Sequence, residues 1–440
     1  MKKNRFYLSA VSLLLAVTSS ACFGQAVVTN TNDSGAGSLR QAILSGLETI
    51  DFDSSVFSTP QTILLNSDFG IVSHSVDIRG PGANLLTVDG QDFENGRPLF
   101  FFGPSVNSSL SGFTLTGGRD TTSTSDVGGI FLQGALELTD FVLTDNFGTG
   151  IFATSQSQLT VSNSTISDNG DEGIFTRGNV TLSGVTISGN GEDGIFVTSQ
   201  SQLTVSNSTI SDNGDEGIFT RGNVTLSGVT ISGNGEEGIF QQGGTVTALQ
   251  STIAENQEEG VFLQSGSLQV SQSTIARNGG TGVFVGGTAG IENSIIADNS
   301  GGDVNVGGFD GAVTINNSLI QDASEITNGV NGNIVGEALL GALTDNGGGT
   351  LTILPDVGSS AIDSGNSFEG LIADQRGFSR VTGSAIDLGA VEVGSVAVPE
   401  PNSLILVGLG MVAAFCRRKR GYKETRVGVE PTYSGLQPDA

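Results

Sequence analysis

Residues 155–192 recur without change at 199–236, and the match continues to Phe196 and Phe240 with one substitution, Asp193 against Glu237. A chain that repeats itself over 44 residues folds as stacked copies of one unit. The period itself divides in two. The tripeptide Gly-Ile/Val-Phe begins at Gly129, Gly150, Gly173, Gly194, Gly217, Gly238, Gly260 and Gly282, in steps of 21 to 23 residues. Asparagine keeps the same beat at Asn146, Asn169, Asn190, Asn213, Asn234, Asn256, Asn278 and Asn299.

Each unit holds three short alternating runs, for example Gln158-Leu159-Thr160-Val161, Ser164-Thr165-Ile166-Ser167 and Gly173-Ile174-Phe175. Leu159, Val161 and Ile166 fall on one face with hydroxyl side chains between them, the period-2 signature of half-buried strands. Runs so short cannot pair within one unit, so each pairs with the same run one unit on. The expected fold is all-β: a single-stranded, right-handed parallel β-helix of ~22 residues per coil. About a dozen coils from Ile63 onward, each rising ~4.8 Å, make a rod of roughly 60 Å. Glycine, 66 of the 440 residues, serves the corners, and a chain so rich in Gly, Ser, Thr and Asn builds no long helices. The asparagine column reads as a structural ladder, because Asn tolerates left-handed backbone and its amide bonds to the Asn above and below.

Open solenoid ends expose core and strand edges, so both need caps. Ser38-Leu39-Arg40-Gln41 is a capping box, Ser at N-cap and Gln at N3, opening a short apolar helix through Ala42, Ile43 and Leu44. The boundaries that follow are a leader at 1–26, an N-terminal cap at 27–60, the β-helix at 61–322, a C-terminal capping region at 323–397, a sorting segment at 398–420 and an unstructured tail at 421–440.

The two ends carry the positive charge. Lys2, Lys3 and Arg5 precede an apolar run from Leu8 to Val17 and then small residues, the layout of a secretory signal peptide. At the other end Pro399-Glu400-Pro401 precedes an apolar run from Leu404 to Cys416, followed by Arg417-Arg418-Lys419-Arg420. Thirteen apolar residues are short for a span of roughly 20, but the basic cluster behind them fits a cytoplasmic stop. Between 26 and 398 stand 41 acidic residues against nine arginines and no lysine, a net charge of −32 where the whole chain has −27. Nucleic acid is excluded as a partner of so acidic a body. Cys22 and Cys416 lie in the end segments, so the body contains no disulfide.

The order Pro-Glu-Pro, apolar helix, basic cluster resembles the PEP-CTERM sorting signal of Gram-negative, polysaccharide-producing bacteria. The resemblance implies export, transient residence of the C-terminal segment in the inner membrane, cleavage by an exosortase, and a final place at the cell surface or in the extracellular matrix. The 20 residues that follow the basic cluster depart from that pattern. The stretch from Val28 to Ile43, together with Gly80-Pro81-Gly82 and Leu86-Thr87-Val88-Asp89-Gly90, resembles the start of many exported bacterial β-helix proteins. Asp345-Asn346-Gly347-Gly348-Gly349-Thr350, Ser360-Ala361-Ile362-Asp363-Ser364-Gly365, Asp374-Gln375-Arg376-Gly377 and Asp387-Leu388-Gly389-Ala390-Val391-Glu392 look like the choice-of-anchor Q domain, with Gly349 where proline is common. This likeness implies an exported surface protein and no defined catalysis.

Two columns carry the chemistry. Acidic pairs stand before successive Gly-Ile/Val-Phe tripeptides: Asp171/Glu172, Glu192/Asp193, Asp215/Glu216, Glu236/Glu237 and Glu258/Glu259. Stacking sets ten carboxylates along one edge at roughly 5 Å steps, where bound cations relieve repulsion; a weak multi-site Ca2+ edge is one reading and a solvated acidic turn the other. Phe131, Phe152, Phe175, Phe196, Phe219, Phe240, Phe262 and Phe284 form the second column, expected to face inward because an exposed stripe of eight rings is a large apolar patch. Arg177 and Arg221 are repeat mates, two coils apart, and read as solvated surface residues. The favoured function is a scaffold or adhesin associated with extracellular polysaccharide. The alternative is a β-helix polysaccharide lyase or glycoside hydrolase, which requires a cleft of unduplicated charges such as the loop from Arg119 to Asp126 offers.

Overall fold

The computed structural model describes residues 24–91, 97–120, 126–307, 311–322, 326–366 and 371–398. The expected leader up to residue 23, the sorting residues Pro399, Glu400, Pro401, Arg417, Arg418, Lys419 and Arg420, and the tail at 421–440 lie outside them. Residues as far as Val396 form one body.

Among the described residues the coils stack as a right-handed solenoid with three parallel faces, of 13, 13 and 11 strands. In chain order within one coil, the first sheet contains Gln158–Ser162, the second Thr165–Ser167 and the third Ile174–Thr176. Register is strict from coil to coil: Leu159 pairs with Val180, Ile166 with Ile187, and Ile174 with Ile195. Every second residue points inward, and Val161, Leu182, Ile195 and Ile210 are wholly buried. Each such side chain removed from water contributes about 1.5–3 kcal/mol.

The asparagine column is a continuous buried ladder. Nδ2 of Asn169 donates to Oδ1 of Asn190 at 2.9 Å, Asn190 to Asn213 at 2.9 Å and Asn213 to Asn234 at 2.9 Å. Each backbone N–H in this series donates to the same Oδ1. The ladder ends on Asp303, whose carboxylate accepts from Asn299 at 3.0 Å. The left-handed residue, however, is not the asparagine. It is the residue before it: Asp168, Gly189, Asp212 and Gly233 have φ of 55°, 66°, 57° and 69°. The glycine opening each Gly-Ile/Val-Phe has a steric cause, since a Cβ on Gly173 would sit 2.8 Å from Asn190 Nδ2 and from Gly194 O.

The N-terminal helix spans Leu39–Leu44 and buries Leu39, Ala42 and Ile43 in the solenoid core. Half of its capping box forms. Ser38 Oγ accepts from Gln41 N at 3.2 Å, but Ser38 N donates to Gly35 O instead of to the Gln41 side chain.

The C-terminal capping region divides in two. Ile334–Val335 adds a strand beyond Leu319–Ile320, and Ile326 packs on the core, so this short part caps the rod. The rest, the described residues of 338–396, folds back along the outer face of the second sheet as a lateral strap. Gln375 Oε1 accepts from Thr252 Oγ1 at 2.7 Å, Ala390 N donates to Thr274 Oγ1 at 3.1 Å, and Gly389 N to Asn293 O at 2.9 Å. Arg380 lies wholly buried beneath it, donating to Gln272 Oε1 at 3.0 Å and to Gly389 O at 2.7 Å. Arg376 pairs with Asp374 at 2.6 Å. The Asp374-Gln375-Arg376-Gly377 and Asp387-to-Glu392 segments therefore act here as the polar lock between strap and coils.

Candidate functional site: the outer face of the third sheet

The phenylalanine column faces outward, against the inward orientation expected from its apolar character. In each triplet Ile or Val is fully buried, and Phe is only partly covered in all but one, Phe152, at 6% exposure, because adjacent residues of a strand face opposite ways. The patch is tolerated because the rings bury one another. Nine rings, from Phe101 to Phe284, stack with centroids 4.6–5.3 Å apart, and most neighbours lie within 12° of parallel. Ring faces are thereby spent on other rings, and the solvent meets ring edges. A sugar lying along this column contacts an apolar strip of edges and does not stack face to face.

Arg177 and Arg221 are not simple solvated residues. Each guanidinium straddles two rings, Arg177 at 5.2 and 5.5 Å from Phe152 and Phe175, Arg221 at 5.6 and 5.1 Å from Phe196 and Phe219. Arg221 also donates to Gln242 on the next coil. Along this margin the outward residues are Thr154, Arg177, Thr198, Arg221, Gln242 and Gln264.

The opposite margin is acidic, and the ten carboxylates form two lanes, not one edge. Asp171, Glu192, Asp215, Glu236 and Glu258 are exposed or half-buried. Glu172, Asp193, Glu216, Glu237 and Glu259 sit lower beside the rings, with Asp193, Glu216 and Glu237 at 6%, 9% and 7% exposure. Burial pushes Asp193 up to about 10, helped by its side-chain hydrogen bond to Glu216 and by the Glu216 and Glu172 charges beside it. Burial also lifts Glu237 to about 7. Asp171, Glu192 and Glu236 are raised as well, by desolvation first and by neighbouring carboxylates second. Glu172 accepts from Thr149 Oγ1 at 2.8 Å. Asp126, Asp171, Glu172, Glu192, Phe152, Phe175 and Arg177 together line a groove of about 360 Å3.

The right-handed β-helix region family matches residues 128–267 and 176–320, and the PEP-CTERM protein-sorting motif matches residues 397–420. This is a parallel β-helix protein with a PEP-CTERM sorting signal. The β-helix protein is accordingly an exported one, sorted at the cell envelope and processed by an exosortase. Among solved structures it is similar to the A-module of the mannuronan C-5 epimerase AlgE6 from Azotobacter vinelandii, over 71% of this chain and 95% of that one, at 14% identity and a TM-score of 0.50. The periplasmic alginate epimerase AlgG is similar over 71% and 78%, at 11% identity and a TM-score of 0.49. A pectate lyase is similar over 84% and 96%, at 16% identity and a TM-score of 0.38. At 14% identity the likeness to the AlgE6 A-module is one of fold alone. No curated protein matches the chain in sequence. Among the described residues no helix is long and apolar enough to cross a membrane, and the apolar run at 404–416 lies outside them.

Sequence reasoning had located the two columns but not their relation. It missed Phe101 as the ninth ring, the arginines over the ring edges, and the Asp193–Glu216 pair. The signal for the arginines was present, since Arg177 and Arg221 each follow an Ile-Phe-Thr strand directly.

Proposed function

We propose that this exported protein is a cell-surface or extracellular-matrix scaffold whose third-sheet face lies along extracellular polysaccharide. The observation that supports it is the repeating face: an acidic margin, a stack of ring edges and a Thr/Arg/Gln margin recur coil after coil. A surface that repeats in one dimension suits a ligand that repeats in one dimension. Hydroxyls of a glycan find carboxylates on one side and guanidinium or amide donors on the other, with apolar sugar C–H groups over the ring edges.

The remaining assignments belong to the same reading. Residues 1–26 serve as a cleaved signal peptide, and the apolar run at 404–416 holds the chain in the inner membrane until the exosortase acts. Residues 323–397 are choice-of-anchor Q-like: they cap the β-helix and lock its flank.

The competing reading, a polysaccharide lyase or glycoside hydrolase, is favoured by one spot, the groove of Asp126, Asp171, Glu172, Glu192 and Arg177, where acids face a guanidinium. Against it, Arg177 and the paired acids recur one repeat later at Arg221, Asp215, Glu216 and Glu236, while a catalytic centre needs to be built once. A glycan array spanning neutral, uronate and amino sugars, run beside a reducing-end assay on the body, separates the two. Binding without turnover is expected. Release of reducing ends would move the protein to the enzyme class.

A further inference from the structure

The arginines of the body are not used alike. Arg40, Arg79, Arg277 and Arg376 each pair with a carboxylate. Arg177 and Arg221 pair with none among the described residues, although 41 acids share the body with them. Each is propped on two rings instead, and its terminal nitrogens have no protein acceptor among the described residues. A planar guanidinium held in place without an acid of its own complements a carboxylate brought by a ligand. The spacing of the two is regular. Two ring steps, of 4.7 and 4.6 Å, separate Phe175 from Phe219, and with them Arg177 from Arg221. The coil between carries a hydroxyl at the same place, so the margin runs Thr154, Arg177, Thr198, Arg221.

An extended 1,4-linked sugar chain rises by close to one coil per sugar and, as a two-fold ribbon, turns over at every step. A substituent therefore returns to the same edge at every second sugar, which is the period of the arginines. The opposite margin selects further. Its outer acids, Asp171, Glu192, Asp215 and Glu236, stand one to a coil and repel any carboxylate that points their way. A ribbon with an acid on every sugar turns every second carboxylate against them, whereas one with an acid on alternate sugars keeps all of its carboxylates on one edge. We propose that the third-sheet face selects an extended polysaccharide with a disaccharide repeat, a uronate alternating with an uncharged sugar, whose carboxylates meet Arg177 and Arg221. The C–H groups of the same sugars lie over the ring edges of Phe175, Phe196 and Phe219. This inference rests on the polysaccharide reading and narrows it: a neutral chain leaves the arginines unused, and a uniform polyuronate meets like charge across the face.

Three β-1,4-linked glucan oligosaccharides of equal length test it: one unoxidised, one oxidised to the carboxylate at C6 of every second sugar, and one oxidised at every sugar. Linkage and backbone are the same, and only the placement of acid differs. In titration calorimetry on the full chain, the alternately oxidised oligosaccharide should bind about tenfold more tightly than either of the others, the weight of one charge-assisted pair. Arg177→Gln should remove about that factor for the alternating oligosaccharide and leave binding of the unoxidised one unchanged. Arg79→Gln, at a paired arginine of the first sheet, should leave all three affinities as they are. Tightest binding of the fully oxidised oligosaccharide would mean attraction without register and would overturn the inference. So would equal binding of the alternating and unoxidised ones, or a preference for the alternating one that survives Arg177→Gln combined with Arg221→Gln. Binding of the unoxidised oligosaccharide alone would overturn it and leave the polysaccharide reading in place; binding of none of the three would end both.

Discussion

Thr186 and Thr230 are repeat mates, each followed by Ile and Ser in an unchanged stretch of sequence, and their fates are opposite. Thr186 is exposed on the second sheet, whereas Thr230 is wholly buried. Thr230 donates to Leu351 O at 2.6 Å and accepts from Gln375 Nε2 at 3.0 Å, both in the strap. Backbone register is the same in both coils, so the difference comes entirely from what lies on top. One solenoid therefore carries two kinds of flank: an open one, whose chemistry faces water or a ligand, and a closed one, whose chemistry is consumed by the chain itself.

The sharpest way to break this comparison is Thr230→Lys against Thr186→Lys. Under the strap an unpaired ammonium should cost about 3–5 kcal/mol or detach the strap, read as a lowered midpoint and new protease cleavage between 338 and 397. On the open flank the same change should stay within about 0.5 kcal/mol. Equal effects would mean that the strap does not cover that flank in solution. Next in size is Leu388→Ala, which empties a buried site in the small core shared by Ala361, Leu319 and Ile295. It should cost about 2–5 kcal/mol, with hydrogen exchange rising in the strap before the coils. Asn213→Ala should follow, at about 1–3 kcal/mol. It removes one rung: the N–H and Nδ2 of Asn190 lose the Asn213 Oδ1, and Asn234 Oδ1 keeps only the backbone N–H of residue 213.

The acidic margin supplies the smallest effect and an unusual sign. Asp171, Glu192, Asp193, Glu236 and Glu237 have folded-state values raised above their unfolded ones, Asp193 most of all, to about 10. A carboxyl raised on folding binds its proton better in the native state. Its contribution is therefore present in acid and is lost as pH rises from the ordinary carboxylate range towards the raised value. Between pH 8 and pH 5 the midpoint should climb as pH falls, and Asp193→Asn should flatten that slope. A midpoint that falls on acidification in this range would contradict the pairing of Asp193 with Glu216.

The coil, its three runs and the cap helix were legible because alternation and period are local facts repeated many times. What was not legible has physical reasons. Ile174 and Phe175 are adjacent and both apolar, so alternation could not assign their sides, and mutual stacking hid the cost of an outward ring. The left-handed corner was readable after all: Asp and Gly alternate at 168, 189, 212 and 233, the residue types that tolerate positive φ. The strap left a fainter mark. Ser188 and Ser211 on the open flank become Ala254, Ala276 and Ala297 beneath it, a loss of hydroxyls that signals cover. Thr230 carries no such mark, because its contact partners lie 121 and 145 residues away.

The central claim is that the open third-sheet face holds polysaccharide without cutting it, and Arg177 with Arg221 is its most exposed point. Retention of the body on immobilised extracellular polysaccharide, wild type against the double variant Arg177→Glu and Arg221→Glu, tests it directly. The account predicts retention of the wild type, at least tenfold weaker binding of the double variant (about 1.4 kcal/mol) with an unchanged thermal midpoint, and no reducing ends released. Equal retention of both proteins, or sugar fragments appearing in the wild-type eluate, would contradict it.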